Sequence, residues 1–470
     1  MTNTDAGLQA ICEVLGDNGY IDSSPDIDPY QMEWRGLWTG YCDLVAKPTT
    51  VEQVSHVVRI CHEHNIPVVP HGGNTGLVGA GVPHGGIVIS TERLNTIREI
   101  DPVNGTISCD SGVILADIQK AADDADRLFP LSLAAEGSCR IGGNLSTNAG
   151  GVQVLRYGNT RDLTLGLEVV MPDGQIWNGM RGLRKDNTGY DLKHMFIGAE
   201  GTLGVITGAV MKLYPKPKQK ETCLVAFETV ENCIELFTRV SSYAGDALTA
   251  FEAINGFAFS LTIEHGTNMR DPFDQAYPWY ALMELTSPRD GSDLREALES
   301  ELEKAFDDKT VIDGVIAESG AQSEDFWRIR ESIPEAQGHV GASIKSDVSV
   351  PISSVAEFFK KANAVVTAVI PGVRFASFGH IGDGNLHYNL TQPVDMNNED
   401  FMTLWHDATD PVNDIVHNLN GSFSAEHGVG QLKRNELERY RSKVEVEMMK
   451  SVKKALDPKG IMNPKTLFNE

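Results

Sequence analysis

The sequence predicts an α+β protein of at least two domains, and three observations carry this prediction. Up to about residue 217, short apolar strand patterns alternate with helical patterns and with long glycine-rich loops. Residues 221–425 alternate strands such as TCLVAFE with amphipathic helices, which is typical of helices packed on an antiparallel sheet. Between the two parts, Pro215 and Pro217 interrupt regular structure, so the domain boundary is expected there.

The N-terminal part begins with two predicted helices, over residues 5–16 and 49–64. The second is indicated by a threonine cap and by the helical spacing of Val54, Val57 and Cys61. The apolar stretch IPVVP follows directly and predicts a short buried strand that runs into a glycine turn.

Further along the chain, the patterns justify the remaining elements in order. GIVIS and GTISC predict strands, ILADIQKAADDA predicts a helix, and LTLGLEVVMPDGQIW predicts a β-hairpin that turns at Asp173-Gly174. The second domain is expected to contain amphipathic helices over residues 229–243, 291–306 and 354–367. Residues 433–456 predict one charged helix.

The bulk composition narrows the class of protein. Asp and Glu number 65 against 40 Lys and Arg, and the net charge of −25 argues against binding to nucleic acid or to an anionic membrane surface. Seven cysteines, widely spaced and without a CxxC pair, indicate reduced thiols in the cytoplasm. We find no apolar run long enough for a membrane span and no basic leader before the first helix.

Two glycine clusters point to a polar ligand: PHGGNTGLVGAG, residues 70–81, and EGSCRIGGNLSTNAGG, residues 136–151. Without a Cβ, backbone amides can approach a phosphate closely. Neither GxGxxG nor GxxxxGK[ST] occurs, so the usual nucleotide fingerprints are absent from the sequence. The alternative is that these glycines only make turns. Two long clusters interleaved with Asn, Ser and Thr favour a ligand.

A resemblance to a known family rests on four ordered motifs. They are PHGGNTGLVGAG, PLSLAAEGSCRIGGNLSTNAGG, YGNTRDLTLGLEVVMPDG and IGAEGTLGVIT. Together, over about residues 35–217, they resemble the FAD-binding domain of the vanillyl-alcohol-oxidase-type flavoproteins. The resemblance implies an FAD-binding domain, residues 1–217, made of two α+β subdomains with FAD between them.

Carried over by motif, the resemblance also implies residue roles. Some members attach FAD through a histidine after two glycines of the first loop; Asn74 stands there, so non-covalent FAD is expected. The pyrophosphate would lie on Gly72, Gly73, Asn74, Thr75, Gly76 and Leu77. The flavin would be lined by Ser138, Ile141, Gly142, Thr147 and Asn148, the adenine side by Glu200, Gly201 and Ile206, and Asn463 would reach the flavin.

A second group of polar residues lies in two short stretches, GHIGDGNLHYN and SAEHGVG. If the first stretch forms a hairpin around its glycine turn, His380 and His387 face the same side. Two imidazoles and a carboxylate, for which Glu426 is available, leave an open position that suits a catalytic metal. His427 would then be available as a general base. The alternative is that each histidine is solvated near a turn. Asp383 is expected to form the turn rather than to bind a metal.

These stretches, with LDPKGIMNP, resemble the C-terminal part of the D-2-hydroxy acid dehydrogenases of the same superfamily, over about residues 218–470. The resemblance implies an α+β substrate domain, 218–425, with an antiparallel sheet, and a segment, 426–470, that returns to the FAD-binding domain. It implies a divalent metal, usually zinc, on His380, His387 and Glu426, with His427 as catalytic base. Substrate would contact Arg330, Lys345, Asn389 and His427; for Arg330 and Lys345 the alternatives are a solvated helix face and a strand edge.

The expected reaction is oxidation of a D-2-hydroxy acid to the 2-oxo acid by hydride transfer to the flavin, with D-2-hydroxyglutarate as the leading substrate. D-lactate and glycolate stay open because Pro334 stands where 2-hydroxyglutarate enzymes can carry a substrate-binding threonine. A metallohydrolase without flavin and a flavoprotein with a structural metal are the alternatives from other classes. Expected partners are an electron-transfer flavoprotein or a quinone as electron acceptor, and a second copy in a homodimer.

Overall fold

A computed structural model describes residues 2–23 and 25–469. The chain divides into two compact units. Unit 1 comprises Met1–Gly151, Gly158–Lys216 and Glu426–Glu470, and unit 2 comprises Val152–Tyr157 and Pro217–Ala425. Among the described residues, no helix has both the length and the apolar character needed to cross a membrane.

Unit 1 is built on two larger sheets and a two-stranded ribbon. The first sheet has the strand order Tyr20–Ile21, Leu44–Ala46, Ile87–Ser90, Val68–His71, and its last three strands are parallel. The second is antiparallel, in the order Ile97–Asp101, Thr106–Asp110, Val205–Lys212, Thr164–Val170, Ile176–Gly179. Arg127–Leu128 pairs with Tyr214–Pro215.

The helices of unit 1 follow from caps and apolar spacing. Val51–His64 begins at Thr50, whose side chain accepts from the Gln53 amide, and it ends at Asn65 in the left-handed conformation. Its apolar face, including Val54 and Cys61, is fully buried. The other helices are Asn3–Leu15, Leu115–Asp124, Ile141–Thr147, Thr160–Leu163, Lys193–Phe196, Arg434–Tyr440 and Lys443–Leu456, with a 3-10 turn at Asp28–Tyr30.

Two parts of unit 1 differ from the expectation. The second glycine cluster contains a helix, Ile141–Thr147, because Ile141 and Leu145 are buried one turn apart. The predicted single helix 433–456 is wrong: Arg434–Tyr440 ends before Ser442, which caps Lys443–Leu456 through the Glu445 amide. The predicted hairpin at Asp173-Gly174 is confirmed, with Gly174 at φ +84°.

Unit 2 is an eight-stranded antiparallel sheet with helices on both faces. The strand order is Asp313–Ile316, Gln219–Phe227, Trp279–Ser287, Leu248–Asn255, Phe378–His380, Asn385–Thr391, Ser343–Ser349, and Arg374–Phe375 also pairs with Asn385–Thr391. The helices are Val154–Tyr157, Val230–Ala244, Gly256–His265, Leu294–Asp307, Gly320–Glu331, Ile333–Gly338, Val355–Val369, Asn398–Thr403 and Trp405–Asn418, with 3-10 turns at Gly245–Ala247 and Ile352–Ser354.

The two faces of this sheet differ in character. One face is an apolar core that includes Val225, Met283, Val348 and Leu386. On the other face, a smaller apolar cluster around Tyr280 is covered by the helices Gly256–His265, Gly320–Glu331 and Ile333–Gly338. Because side chains alternate along each strand, the polar residues that continue this second face share one side of the sheet.

Candidate functional site

The hairpin predicted around GHIGDGNLHYN is confirmed. Phe378–His380 and Asn385–Thr391 pair antiparallel with Phe378 opposite His387. His380, two residues from Phe378, therefore shares a face with His387, and the two imidazole centroids lie 5.5 Å apart. Asp383 forms the turn, where its Oδ1 accepts a hydrogen bond from the Asn385 amide at 3.0 Å.

Beside His380 lies a residue that the sequence analysis missed, Glu252. It is opposite His380 on the neighbouring strand, and its Oε1 lies 2.5 Å from His380 Nδ1. Its Oε2 accepts a hydrogen bond from Arg330 Nε at 2.7 Å. Burial alone would raise the pKa of Glu252, but the charges of His380 and Arg330 lower it to about 2. The available signal was a single acidic residue in the buried apolar strand LTAFEAIN, which needs a partner.

Arg330 is not on a solvated helix face. Its side chain is 8% exposed, and its guanidinium carbon lies 4.6 Å from the centroid of the Phe378 ring. One guanidinium edge is therefore fixed by Glu252 and the plane by an aromatic ring. This leaves the terminal Nη atoms as the part of Arg330 suited to a ligand.

Two more polar residues, Lys345 and Asp347, continue this face along the edge strand, Ser343–Ser349. Lys345 lies opposite Asn389, and Asp347 lies opposite His387. Asn389 is buried, and its Nδ2 donates to Gln337 Oε1 at 3.1 Å. Lys345 therefore does lie on an edge strand, but in register with Asn389, so these two predicted substrate residues share one sheet face, and Arg330 reaches it from a helix.

Asp347 contacts both the histidine hairpin and Ala425, the last residue of unit 2. Its Oδ1 accepts from Asn385 Nδ2 at 2.9 Å and lies 3.8 Å from His387 Nδ1. Its backbone oxygen accepts from the Ala425 amide at 3.3 Å. Glu426 is the next residue along the chain.

In unit 1, the two glycine clusters contact each other. A Cβ on Gly73 would lie 2.4 Å from the Ser138 oxygen, and a Cβ on Gly72 would lie 3.2 Å from the Gly143 nitrogen. Glycine is required at residue 73 because the backbone of the second cluster passes there, and a Cβ at residue 72 would make a tight contact with the same cluster. By contrast, a Cβ on Gly76 would meet nothing within 4 Å.

Several of the residues predicted to contact FAD have side chains that bond within the protein. Asn74 Nδ2 donates to the Met32 oxygen at 2.9 Å, and Thr147 Oγ1 donates to the Gly143 oxygen at 3.0 Å. Ser138 Oγ donates to the Ala135 oxygen at 3.3 Å, and Asn148 Oδ1 accepts from the Arg161 amide at 2.9 Å. Any contact of these residues with a cofactor would therefore be made largely by their backbones or by their remaining hydrogen-bonding atoms.

Glu200 ties the C-terminal segment to the rest of unit 1. Its carboxylate accepts from the amides of Val429 and Gly430 at 2.8 and 2.7 Å. Burial raises the pKa of Glu200 to about 7, against the lowering effect of these two amides. The turn that follows His427 is thus held by Glu200.

Asn463 lies against the same region of unit 1. Its Nδ2 donates to the backbone oxygens of Glu200 at 2.7 Å and of Ala80 at 3.0 Å, and its Oδ1 is buried without a hydrogen-bond partner among the described residues. Glu426 lies against the second glycine cluster, because a Cβ on Gly150 would lie 2.6 Å from Glu426 Oε1.

Comparison with known proteins identifies the family. Residues 42–179 match the FAD binding domain, and residues 216–467 match the C-terminal domain of FAD linked oxidases. A D-2-hydroxyglutarate dehydrogenase of Stutzerimonas stutzeri is 35% identical over 467 residues, covering 99% of both chains. The chain belongs to the D-2-hydroxyglutarate dehydrogenase family of FAD-linked oxidases.

Other members of this family are equally similar. A mitochondrial D-2-hydroxyglutarate dehydrogenase of Danio rerio is 38% identical, covering 96% of this chain and 83% of the relative. A D-2-hydroxyglutarate–pyruvate transhydrogenase of Saccharomyces cerevisiae is 36% identical, covering 93% and 89%. The predicted FAD-dependent oxidoreductase of the D-2-hydroxy acid dehydrogenase group is confirmed.

Solved structures confirm the predicted fold class. Substrate-bound p-cresol methylhydroxylase superposes with a TM-score of 0.77 at 19% identity, covering 99% of this chain and 97% of that chain. Alkyldihydroxyacetonephosphate synthase gives 0.75 at 18% identity, covering 98% and 84%. At this level of identity the similarity concerns the fold alone.

Proposed function

We propose that this D-2-hydroxyglutarate dehydrogenase family member oxidises D-2-hydroxyglutarate to 2-oxoglutarate with FAD and a divalent metal. The observation that carries the proposal is the polar face of the unit 2 sheet. There His380, His387, Asn389 and Lys345 share one side, with Arg330 held against it. Two imidazoles beside cationic groups suit a metal and a dianionic substrate.

FAD fits unit 1 in two respects. The open space beside Gly76 allows its backbone to approach a phosphate, and the buried Oδ1 of Asn463 requires a donor that the described residues do not supply. The proposed FAD contacts remain the full predicted set: Gly72, Gly73, Asn74, Thr75, Gly76, Leu77, Ser138, Ile141, Gly142, Thr147, Asn148, Glu200, Gly201, Ile206 and Asn463. For Glu200 the contact would come from the backbone, since its carboxylate already accepts hydrogen bonds from the amides of Val429 and Gly430.

The proposed metal, with zinc preferred, would be held by His380, His387 and Glu426. Glu252 occupies Nδ1 of His380, so His380 would bind the metal through Nε2. Glu426 follows Ala425, whose amide donates a hydrogen bond to the backbone oxygen of Asp347, the residue opposite His387. Two histidines and one carboxylate leave room for substrate, as catalytic zinc sites require.

The cofactors and the side chains of the protein would each have a separate role in the reaction. When bound, FAD supplies a two-electron hydride acceptor and the metal supplies positive charge near the substrate hydroxyl. Arg330 and Lys345 would bind carboxylates, which offsets the repulsion expected from a net charge of −25. Asn389 would hydrogen-bond the substrate, and His427 would accept the hydroxyl proton as the general base.

D-lactate or glycolate is the second candidate substrate. Pro334 lies at the start of the helix Ile333–Gly338, directly after the helix that carries Arg330, and it offers no hydroxyl. A substrate without a distal carboxylate would not need a hydroxyl group at residue 334.

The proposed acceptor of electrons is an electron-transfer flavoprotein or a quinone, and a homodimer is the proposed assembly. A cytoplasmic location is likewise a proposal. It is supported by seven free cysteines, six of them buried, while relatives such as those of Danio rerio and Arabidopsis thaliana are named mitochondrial.

Anaerobic bleaching of the visible flavin absorbance tests the proposal. D-2-hydroxyglutarate should bleach the flavin rapidly, prior EDTA should abolish this, and zinc should restore it. L-2-hydroxyglutarate is the matched control because it differs only in hand at C2. Bleaching by D-lactate alone would show that D-lactate, and not D-2-hydroxyglutarate, is the substrate. Flavin reduction unaffected by EDTA would contradict the proposed role of the metal.

A further inference from the structure

The strongest feature outside the predicted site is the carboxylate of Glu252. It lies in the middle of the unit 2 sheet with its side chain 1% exposed. Both oxygens are used, one by His380 Nδ1 at 2.5 Å and the other by Arg330 Nε at 2.7 Å. The two partners come from different elements, a hairpin strand and the helix Gly320–Glu331.

We propose that Glu252 is a positioning residue that holds a metal-binding imidazole and the substrate-binding guanidinium in one fixed arrangement. This inference rests on the proposed function, which assigns the metal to His380 and a substrate carboxylate to Arg330. Glu252 itself would touch neither ligand.

The geometry supports a separate effect on each partner. An Nδ1–H donated to a carboxylate fixes the tautomer and the ring orientation of a histidine ligand and increases its basicity at Nε2. For Arg330, the bond at Nε and the ring of Phe378 hold the guanidinium plane, so its two Nη atoms face in one direction as a pair. A shorter or uncharged side chain at residue 252 could not satisfy both donors.

Glu284 provides a matched comparison. It lies on the adjacent strand, on the same face of the sheet as Glu252, and is 2% exposed. Its Oε2 accepts from Trp327 Nε1 at 2.8 Å and lies 3.2 Å from Lys220 Nζ. It therefore shares the burial, the sheet face and the chemical type of Glu252, but neither of these partners is a proposed site residue.

The test measures zinc affinity of the full-length FAD-loaded protein by competition with a chromogenic chelator, without any turnover. Glu252→Gln should weaken zinc binding about 10- to 100-fold. Glu284→Gln should leave it unchanged. In turnover, Glu252→Gln should raise KM for the diacid as well as lower kcat, because Arg330 loses its support. Glu252→Asp, which keeps the charge, should recover part of the zinc affinity.

The outcomes separate the two proposals. Zinc uptake by the wild type, weakened only by substitutions at residue 252, supports the inference whatever the substrate proves to be. Equal zinc affinity of the wild type and Glu252→Gln overturns it. Absence of zinc uptake by the wild type overturns the proposed metal site and this inference with it. Flavin content and far-UV circular dichroism verify folding, and Glu252→Asp replaces Glu252→Gln in this decision if the latter does not fold.

Discussion

Two buried glutamates, one in each unit, differ in what surrounds them. Glu252 in unit 2 meets His380 and Arg330, and its pKa is lowered to about 2. Glu200 in unit 1 meets two backbone amides, and its pKa is raised to about 7. Both are almost inaccessible to solvent. The difference shows that burial raises the pKa of a carboxyl group unless a full positive charge stands close enough to outweigh it.

The comparison extends to the proposed ligand sites of the two units. In unit 2 the buried guanidinium of Arg330 is held by a buried counter-charge, Glu252. Unit 1 has open space beside Gly76, and the carboxylate of Glu200 there accepts hydrogen bonds from a turn rather than pairing with a charged side chain.

The largest effect is expected from removing the buried carboxylate of unit 2. Glu252→Ala leaves the Arg330 guanidinium buried without its counter-charge, which should cost about 3–5 kcal/mol of unfolding free energy. Glu284→Ala should cost less, because its charged partner, Lys220, is 52% exposed and can be solvated. Urea unfolding followed by circular dichroism measures both. Equal losses for the two variants would contradict the view that charge pairing distinguishes Glu252.

A pH-dependent effect of similar size is expected at Glu200. Because its pKa in the folded protein, about 7, is above the ordinary value of 4.5, the folded state binds this proton more tightly than the unfolded state. The contribution of Glu200 to the free energy of unfolding is therefore fully present below pH 4.5 and is lost as the pH rises from 4.5 through about 7. The difference between wild type and Glu200→Gln should change by about 3 kcal/mol in favour of the variant.

Urea unfolding of wild type and Glu200→Gln at pH 5 and pH 8 measures this change. Taking the difference between the two proteins removes the contribution of other titrating groups. Parallel pH dependence would mean that Glu200 titrates as an ordinary carboxyl group.

The smallest effect is expected at the open glycine of unit 1. Gly76→Ala adds a methyl group where the protein itself has no atom within 4 Å, so the unfolding free energy of the apoprotein should hardly change. FAD affinity should fall about tenfold, or ~1.4 kcal/mol, because the methyl group would occupy the proposed pyrophosphate position. Flavin fluorescence during titration of the apoprotein measures it.

Gly137→Ala is the control for that substitution. Gly137 also lies in a glycine cluster with open space around it, but it is outside the proposed FAD contacts. An equal loss of FAD affinity in both variants would show that the effect is not specific to the first cluster.

Local patterns predicted much of this molecule. The hairpin that brings His380 and His387 to one face followed from strand alternation and a glycine turn, and Asp383 was correctly interpreted as a turn former. Helix caps and apolar spacing predicted Val51–His64 closely. The break at Ser442 was missed although the Ser-x-x-Glu cap was present in the sequence, because the charged pattern continues on both sides of it.

The sequence by itself determined about half of the strands, several of the amphipathic helices, the glycine clusters and the motifs that identify the family, because each depends on residues close together in the chain. Apart from the two predicted hairpins, the tertiary structure alone decided which strands became neighbours. It placed Glu252 against His380, 128 residues away, and Glu200 against Val429, 229 residues away. No local pattern encodes such pairs, because they depend on the order in which strands join a sheet and on where a returning segment packs. The opposite pKa shifts of these two glutamates follow from that placement.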